Sequence, residues 1–112
     1  ANSNLTAGHL KIDLNKFQVN NGHNRLSLSP IEYKLLLFFI SHSNTVLSRT
    51  QIASAVWGNT SGATLRIIDT HISNLRKKIE KQPKNPQMLK TIRGFGYLFK
   101  VENKTADASH VK

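Results

Sequence analysis

From Thr64 to Glu80 the chain reads TLRIIDTHISNLRKKIE, and its apolar residues Leu65, Ile68, Ile72, Leu75 and Ile79 recur at steps of 3, 4, 3 and 4. That spacing lines one face of a helix with a period of about 3.6 residues, and so wide a stripe has to be buried. On the other side Arg66, Thr70, Ser73, Asn74 and Lys77 recur at helical spacing, and Arg76, Lys77 and Lys78 crowd the last turns. Arg and Lys pair with phosphates, while Ser, Thr and Asn are short enough to read base edges from a helix in the DNA major groove. A charged face opposite an apolar stripe also describes an ordinary solvated helix, so this segment alone leaves both readings open.

The charge distribution weighs on that choice. The formal net charge is +10, and residues 66–100 carry nine Lys/Arg against two acids, whereas residues 1–65 carry five against two. The positive field therefore sits with the basic helix and implies an anionic partner. A membrane surface would need the apolar stripe to enter lipid instead of a core, so no membrane contact is expected. A chain of 112 residues with 38% hydrophobic content suits one domain that buries roughly two thirds of its unfolded surface. There is no cysteine, and no apolar run reaches the roughly 18 residues of a membrane span, which fits a cytoplasmic location. The first residues lack the basic head and apolar core of a signal peptide.

Taken in order, residues 1–9 read as linker or disorder. Leu10 to Leu14, Phe17 to Val19 and Arg25 to Leu28 read as short strands, with Asn21-Gly22 offering the positive φ of a tight hairpin. Ser29-Pro30-Ile31-Glu32 combines an N-cap Ser, a Pro at the first helical position and a Glu three residues on, so a helix starts there, with Leu35, Leu36, Phe39 and Ile40 as core candidates. It is expected to end near Ser43-Asn44. Thr45 to Leu47 reads as a brief extended link. Ser48 to Gln51 is a second capping box, opening a short helix that carries Ile52, Ala55, Val56 and Trp57.

Gly58 to Gly62 is a polar loop before the basic helix, giving helix, loop and helix in the order of a helix-turn-helix with an enlarged turn. Pro83 and Pro86 bound the far end. Met88 to Ile92 and Tyr97 to Val101 read as strands joined by Arg93-Gly94-Phe95-Gly96, a hairpin that exposes Arg93 where a guanidinium can enter a narrow minor groove. As a phosphate-binding glycine loop it is poor, because no helix follows. Residues 102–112 read as a polar disordered tail, which leaves 10–101 as the folded domain.

The runs LSLSPIEYKLLLFFISHSNTVLSRTQIASAVWG, LRIIDTHISNLRKKIE and LKTIRGFGYLF together resemble the winged-helix DNA-binding domain of OmpR/PhoB-type response regulators. The resemblance covers about residues 10–101. It implies an α+β fold: an N-terminal antiparallel sheet of four strands, a three-helix core and a C-terminal β-hairpin wing. It further implies Arg66, His71, Arg76 and Thr91 as DNA-backbone contacts, Thr70 and Asn74 as base-facing residues beside Ser73 and Lys77, and Arg93 in the minor groove. The loop Gly58, Asn59, Thr60, Ser61 and Gly62 would face RNA polymerase. Two departures stand out: many members carry Arg where this chain has Ser73 and Asn74, and many carry Thr where it has Ile67.

The expected function is sequence-specific binding of double-stranded promoter DNA, on tandem half-sites, by the effector domain of a two-component response regulator. An upstream receiver and a sensor kinase are partners the family implies. One alternative is the DNA-binding domain of a ToxR-like, membrane-tethered regulator, a group in which a Pro-Lys-Arg-Gly-Tyr wing is common. Another is a protein-interaction or RNA-binding module, although RNA recognition favours exposed aromatics and those here are expected mainly in apolar seams. No nucleophile set, paired carboxylates or metal cluster stands out, so no enzyme activity, cofactor or metal is expected. His71 has no second ligand at metal spacing, and Asp69 is expected to hold an Arg such as Arg49 in a structural ion pair.

Overall fold

The computed structural model describes residues 4–101. Two small sheets flank three helices. The first sheet is an antiparallel meander of β1 (Asn4–Ala7), β2 (Leu10–Asp13), β3 (Gln18–Asn21) and β4 (Asn24–Leu26), in the order β1-β2-β3-β4. Strand alternation turns Ala7, Leu10, Ile12 and Val19 inward. Gly22 opens the two-residue loop between β3 and β4 with φ +65°, as the Asn-Gly reading requires.

β1 corrects the expectation that residues 1–9 are linker. Asn4 to Ala7 pair with Asp13 to Leu10, and His9 Nε2 donates to the Ile79 carbonyl at 2.9 Å, tying this hairpin to the far end of the basic helix. A four-residue strand with only Leu5 and Ala7 apolar gives too short an alternation to recognise locally. The proposed tail, 102–112, lies outside the described residues.

Helix α1 (Pro30–Ser41) starts where its capping box dictates: Ser29 Oγ accepts from the Glu32 N–H, and Glu32 accepts from the Ser29 N–H at 2.8 Å. Leu35, Leu36 and Phe39 are fully buried, each contributing roughly 1.5–3 kcal/mol. Ile40 is only partly buried, at the edge of the core. The helix stops at Ser41, just short of the expected end, and Asn44 takes a left-handed φ of +64°. Its side chain exchanges two hydrogen bonds with the Val101 backbone. The extended link after it is a true strand, β5 (Val46–Leu47).

Helix α2 (Arg49–Ile52) opens on the Ser48/Gln51 capping box and passes directly into a π-helical turn, Ala53–Trp57. There the Gly58 N–H reaches the Ala53 carbonyl, five residues back, at 3.0 Å. The wider turn aligns Ile52 with Val56 and Trp57, buries Ala53 and leaves Ala55 exposed.

Helix α3 (Gly62–Ile79) is the basic segment, capped by Ser61, and its stripe forms the floor of the core: Ile68, Ile72, Leu75 and Ile79 are completely buried. Leu65 packs at the edge. The second sheet has the order β5-β7-β6, where β6 is Leu89–Ile92 and β7 is Gly96–Phe99. The wing hairpin β6-β7 is thus hydrogen-bonded through β5 to the link between α1 and α2.

Candidate nucleic-acid interface

Burying Ile68, Ile72, Leu75 and Ile79 turns the opposite face of α3 outward, so Arg66, Ile67, Thr70, Ser73 and Lys77 are exposed and Asn74 is partly so. Arg66 bends its Nε back to the Gly62 carbonyl at 3.2 Å, leaving the rest of its fork exposed. Arg93, Gly94 and Phe95 are exposed at the wing tip, and Gly94 holds φ +86°. The fold therefore brings two outward-facing cationic elements, a helix and a hairpin tip, onto one framework.

Not every cation near this face points outward. Arg76 donates from Nε to the Leu89 carbonyl at 2.8 Å and from Nη2 to Thr91 Oγ1 at 2.6 Å, with its guanidinium 5.5 Å from the centre of the Tyr97 ring. Arg76 and Thr91, expected as DNA-backbone contacts, are bonded to each other across α3 and β6. Helical geometry explains this: Arg76 adjoins the buried Leu75 and Ile72 on the edge nearest the wing. Two of the five guanidinium N–H groups are thus taken, and only the second Nη2 hydrogen and the two on Nη1 remain for a phosphate.

On the same edge Asp69 accepts a bidentate pair from Arg49, 3.0 Å from Nε and 2.9 Å from Nη2, as expected for a structural ion pair. It also accepts from the Tyr97 hydroxyl. The Arg49 hydrogen bonds hold the Asp69 carboxyl below its ordinary value, and burial together with Asp69 pushes the Tyr97 phenol up to about 12. One network thus fastens α2, α3 and β7. His71 packs its ring 5.4 Å from that of Trp57, which rests half-buried against the core. That places His71 at the junction of α3 with the π turn.

Two ties were not anticipated. Lys78 Nζ meets Glu32 Oε1 at 2.6 Å, pinning α3 to the first turn of α1. Burial pushes the Glu32 carboxyl up, but the bonds from Lys78 and the Ser29 N–H outweigh it and leave it below its ordinary value. Glu80 is only 7% exposed and accepts from the backbone N–H groups of Gln87, Met88 and Leu89, fixing the path from α3 into the wing. A Glu followed by a Pro-bounded loop gave no local signal of this.

The expected polymerase-facing loop is ordered from within. Asn59 Oδ1 accepts from the Thr64 hydroxyl at 2.6 Å and from the Ser61 N–H at 3.1 Å. Because Ser61 Oγ caps the Thr64 N–H, Gly62 is the first residue of α3 and not part of the loop, which corrects its assignment. The aromatics lie mainly in apolar seams, as expected: Phe39, Tyr97 and Phe99 are buried and Tyr33, Phe38 and Trp57 pack against the core, while Phe17 and Phe95 are each 73% exposed. Among the described residues no group of three or more His, Asp or Glu is placed to hold a metal, and no helix is long and apolar enough to cross a membrane.

Comparison with known proteins places this geometry. Residues 23–99 match the family of transcriptional regulatory proteins, C-terminal domain. The chain is 46% identical over 97 residues to the probable transcriptional regulator ycf27 of Galdieria sulphuraria, covering 85% of this chain and 38% of that protein. The crystal structure of the Klebsiella pneumoniae RstA DNA-binding domain in complex with RstA box superposes with a TM-score of 0.81 at 30% identity, covering 88% of this chain and 98% of that one. The Thermotoga maritima response regulator DrrB, an OmpR/PhoB homologue, superposes with a TM-score of 0.78 at 34% identity, covering 88% of this chain and 44% of that one. The chain spans about two fifths of the length of the curated relatives it matches. Its winged helix, its capped helices and these matches agree: the chain belongs to the transcriptional regulatory protein C-terminal family, as an OmpR/PhoB-type DNA-binding effector domain of the response-regulator class.

Proposed function

We propose that this domain binds promoter DNA with α3 in the major groove and the wing tip against the adjacent minor groove, as the output module of a two-component response regulator working in the cytoplasm. One observation carries the reading: the exposed Thr70, Ser73 and Lys77 and the partly exposed Asn74 on α3, and the exposed Arg93 on the wing, stand on elements locked together by the Arg76–Thr91 and Asp69–Tyr97 bonds. A rigid pair of readers can address two grooves at fixed separation. Thr70 and Asn74 are the base readers in this proposal, with Ser73 beside them. The Asn74 carboxamide matches adenine N7 and N6, where an Arg would match guanine. Arg66, His71 and Lys77 engage the DNA backbone, and Arg76 and Thr91 do so only with groups their mutual bond leaves over.

An upstream receiver controlled by a sensor kinase, tandem half-sites, and a contact of Gly58 to Ser61 with RNA polymerase complete the proposal. The RstA DNA-binding domain in complex with RstA box supports DNA binding by a domain of this fold, and the response-regulator relatives favour this setting over a membrane-tethered one. Titration of duplex DNA at several salt concentrations tests it. With roughly 4 to 7 phosphate contacts, log affinity should fall against log salt with a slope of about −4 to −6. A slope near zero sinks the proposal.

A further inference from the structure

Ile67 is 42% exposed and is not among the buried residues that form the core. It lies on the outward face of α3, three residues before Thr70 and seven before Asn74, so the three side chains form one strip along the helix. Neighbours at such spacing have Cβ atoms about 5–6 Å apart. An isolated exposed isoleucine needs no explanation on an ordinary surface. Here it stands at the N-terminal end of the strip proposed to face base edges, one helical turn before Thr70, where a branched aliphatic side chain can hydrogen-bond nothing.

We propose that Ile67 reads thymine, packing its branched side chain against a C5-methyl group in the major groove next to the bases addressed by Thr70 and Asn74. This rests on the DNA-binding mode set out above. Among the four bases only thymine offers an apolar group in that groove; cytosine presents an amino donor, and adenine and guanine present polar edges. Setting isoleucine over those groups strips their water and returns no hydrogen bond. Thymine is therefore favoured both by what it contributes and by what the others lose. A protein partner covering Ile67 would also have to cover Thr70 and Asn74, which takes α3 off the DNA.

The test uses the chain as it stands. A duplex obtained by binding-site selection is remade with each thymine replaced singly by deoxyuracil, which removes the methyl and nothing else. At one position the parent should lose about fourfold in affinity, the worth of one buried methyl. Ile67→Ala should bind the thymine and deoxyuracil duplexes equally there, and Ile67→Val should retain part of the difference. Because the side chain is outside the core, these variants keep the parent's thermal unfolding. Equal binding of all thymine and deoxyuracil duplexes by the parent, with its salt slope intact, overturns the thymine assignment alone. A loss on Ile67→Ala that is identical with and without the methyl assigns the residue to another contact and also overturns it. Absence of a salt slope in the parent removes the DNA reading itself, and this inference with it.

Discussion

The two edges of α3 carry similar residues and do opposite work. Along the edge toward the wing and α2, Arg76 and Asp69 spend their hydrogen bonds on Leu89, Thr91, Arg49 and Tyr97. Along the outward strip Thr70 and Lys77 are exposed. A net charge of +10 therefore overstates the field offered to a ligand, because Arg49, Arg76 and Lys78 are girders facing Asp69, the wing and Glu32. Charge counted along a sequence cannot distinguish a cation that holds the fold from one that meets a phosphate; only the partner does.

The sharpest way to break this division is at Glu80, the most deeply bonded of the inward groups. Glu80→Ala orphans the N–H groups of Gln87, Met88 and Leu89. It should cost about 3 kcal/mol in urea unfolding and lower Tm by roughly 10–20 °C. A loss under about 1 kcal/mol would mean that the wing's base is held by other means. Arg93→Ala is the outward counterpart: affinity should weaken by roughly 1–3 kcal/mol, more on A/T-rich flanks than on G/C-rich ones, with unfolding unchanged. Equal loss on both flanks would reduce Arg93 to a plain phosphate contact.

Adjacent residues on one helix make the cleanest pair. Arg76→Ala should lower stability by about 1–2 kcal/mol, whereas Lys77→Ala should leave it within about 0.5 kcal/mol and reduce the salt slope by about 1. Swapped outcomes would reverse the roles assigned here. The smallest effect is on pH. Asp69 and Glu32 both have folded values below their ordinary ones, so the stability they add is present above the ordinary carboxylate range and lost as pH falls through the lower folded values. Urea midpoints should therefore be flat above pH ~5 and decline below pH ~4. Asp69→Asn should flatten that decline only slightly, since the half-exposed Arg49 pair is screened to below about 1 kcal/mol. A decline centred near neutral pH would point to a histidine instead.

Local signals were legible in the sequence because they act within one turn. The boxes at Ser29/Glu32 and Ser48/Gln51, the stripe of α3 and the Arg93–Gly96 reversal each depend on residues at most four or so apart along one element, and each forms as read. What escaped depends on distant partners. Arg76 finds Leu89 thirteen residues away, Asp69 finds Tyr97 twenty-eight away, and β1 exists because β2 offers it a ladder. The π turn escaped for another reason: Ile52, Val56 and Trp57 suit a helix of either width, and only the hydrogen bond into Ala53 chooses between them.

At the wing, one glycine separates what can be rewritten from what cannot. Gly96 holds φ +145°, and a Cβ there would lie 2.0 Å from the Leu47 carbonyl oxygen, a backbone atom that cannot swing aside. No rotamer change relieves that clash, so any side chain at position 96 pries β7 from β5. At positions 93 and 95, in contrast, the side chains are exposed. For anyone recoding this domain toward a new operator, the hairpin is a two-letter cassette: Arg93 and Phe95 can be randomised together, and a library that also varies residue 96 will fill with chains that have lost the seat of the wing.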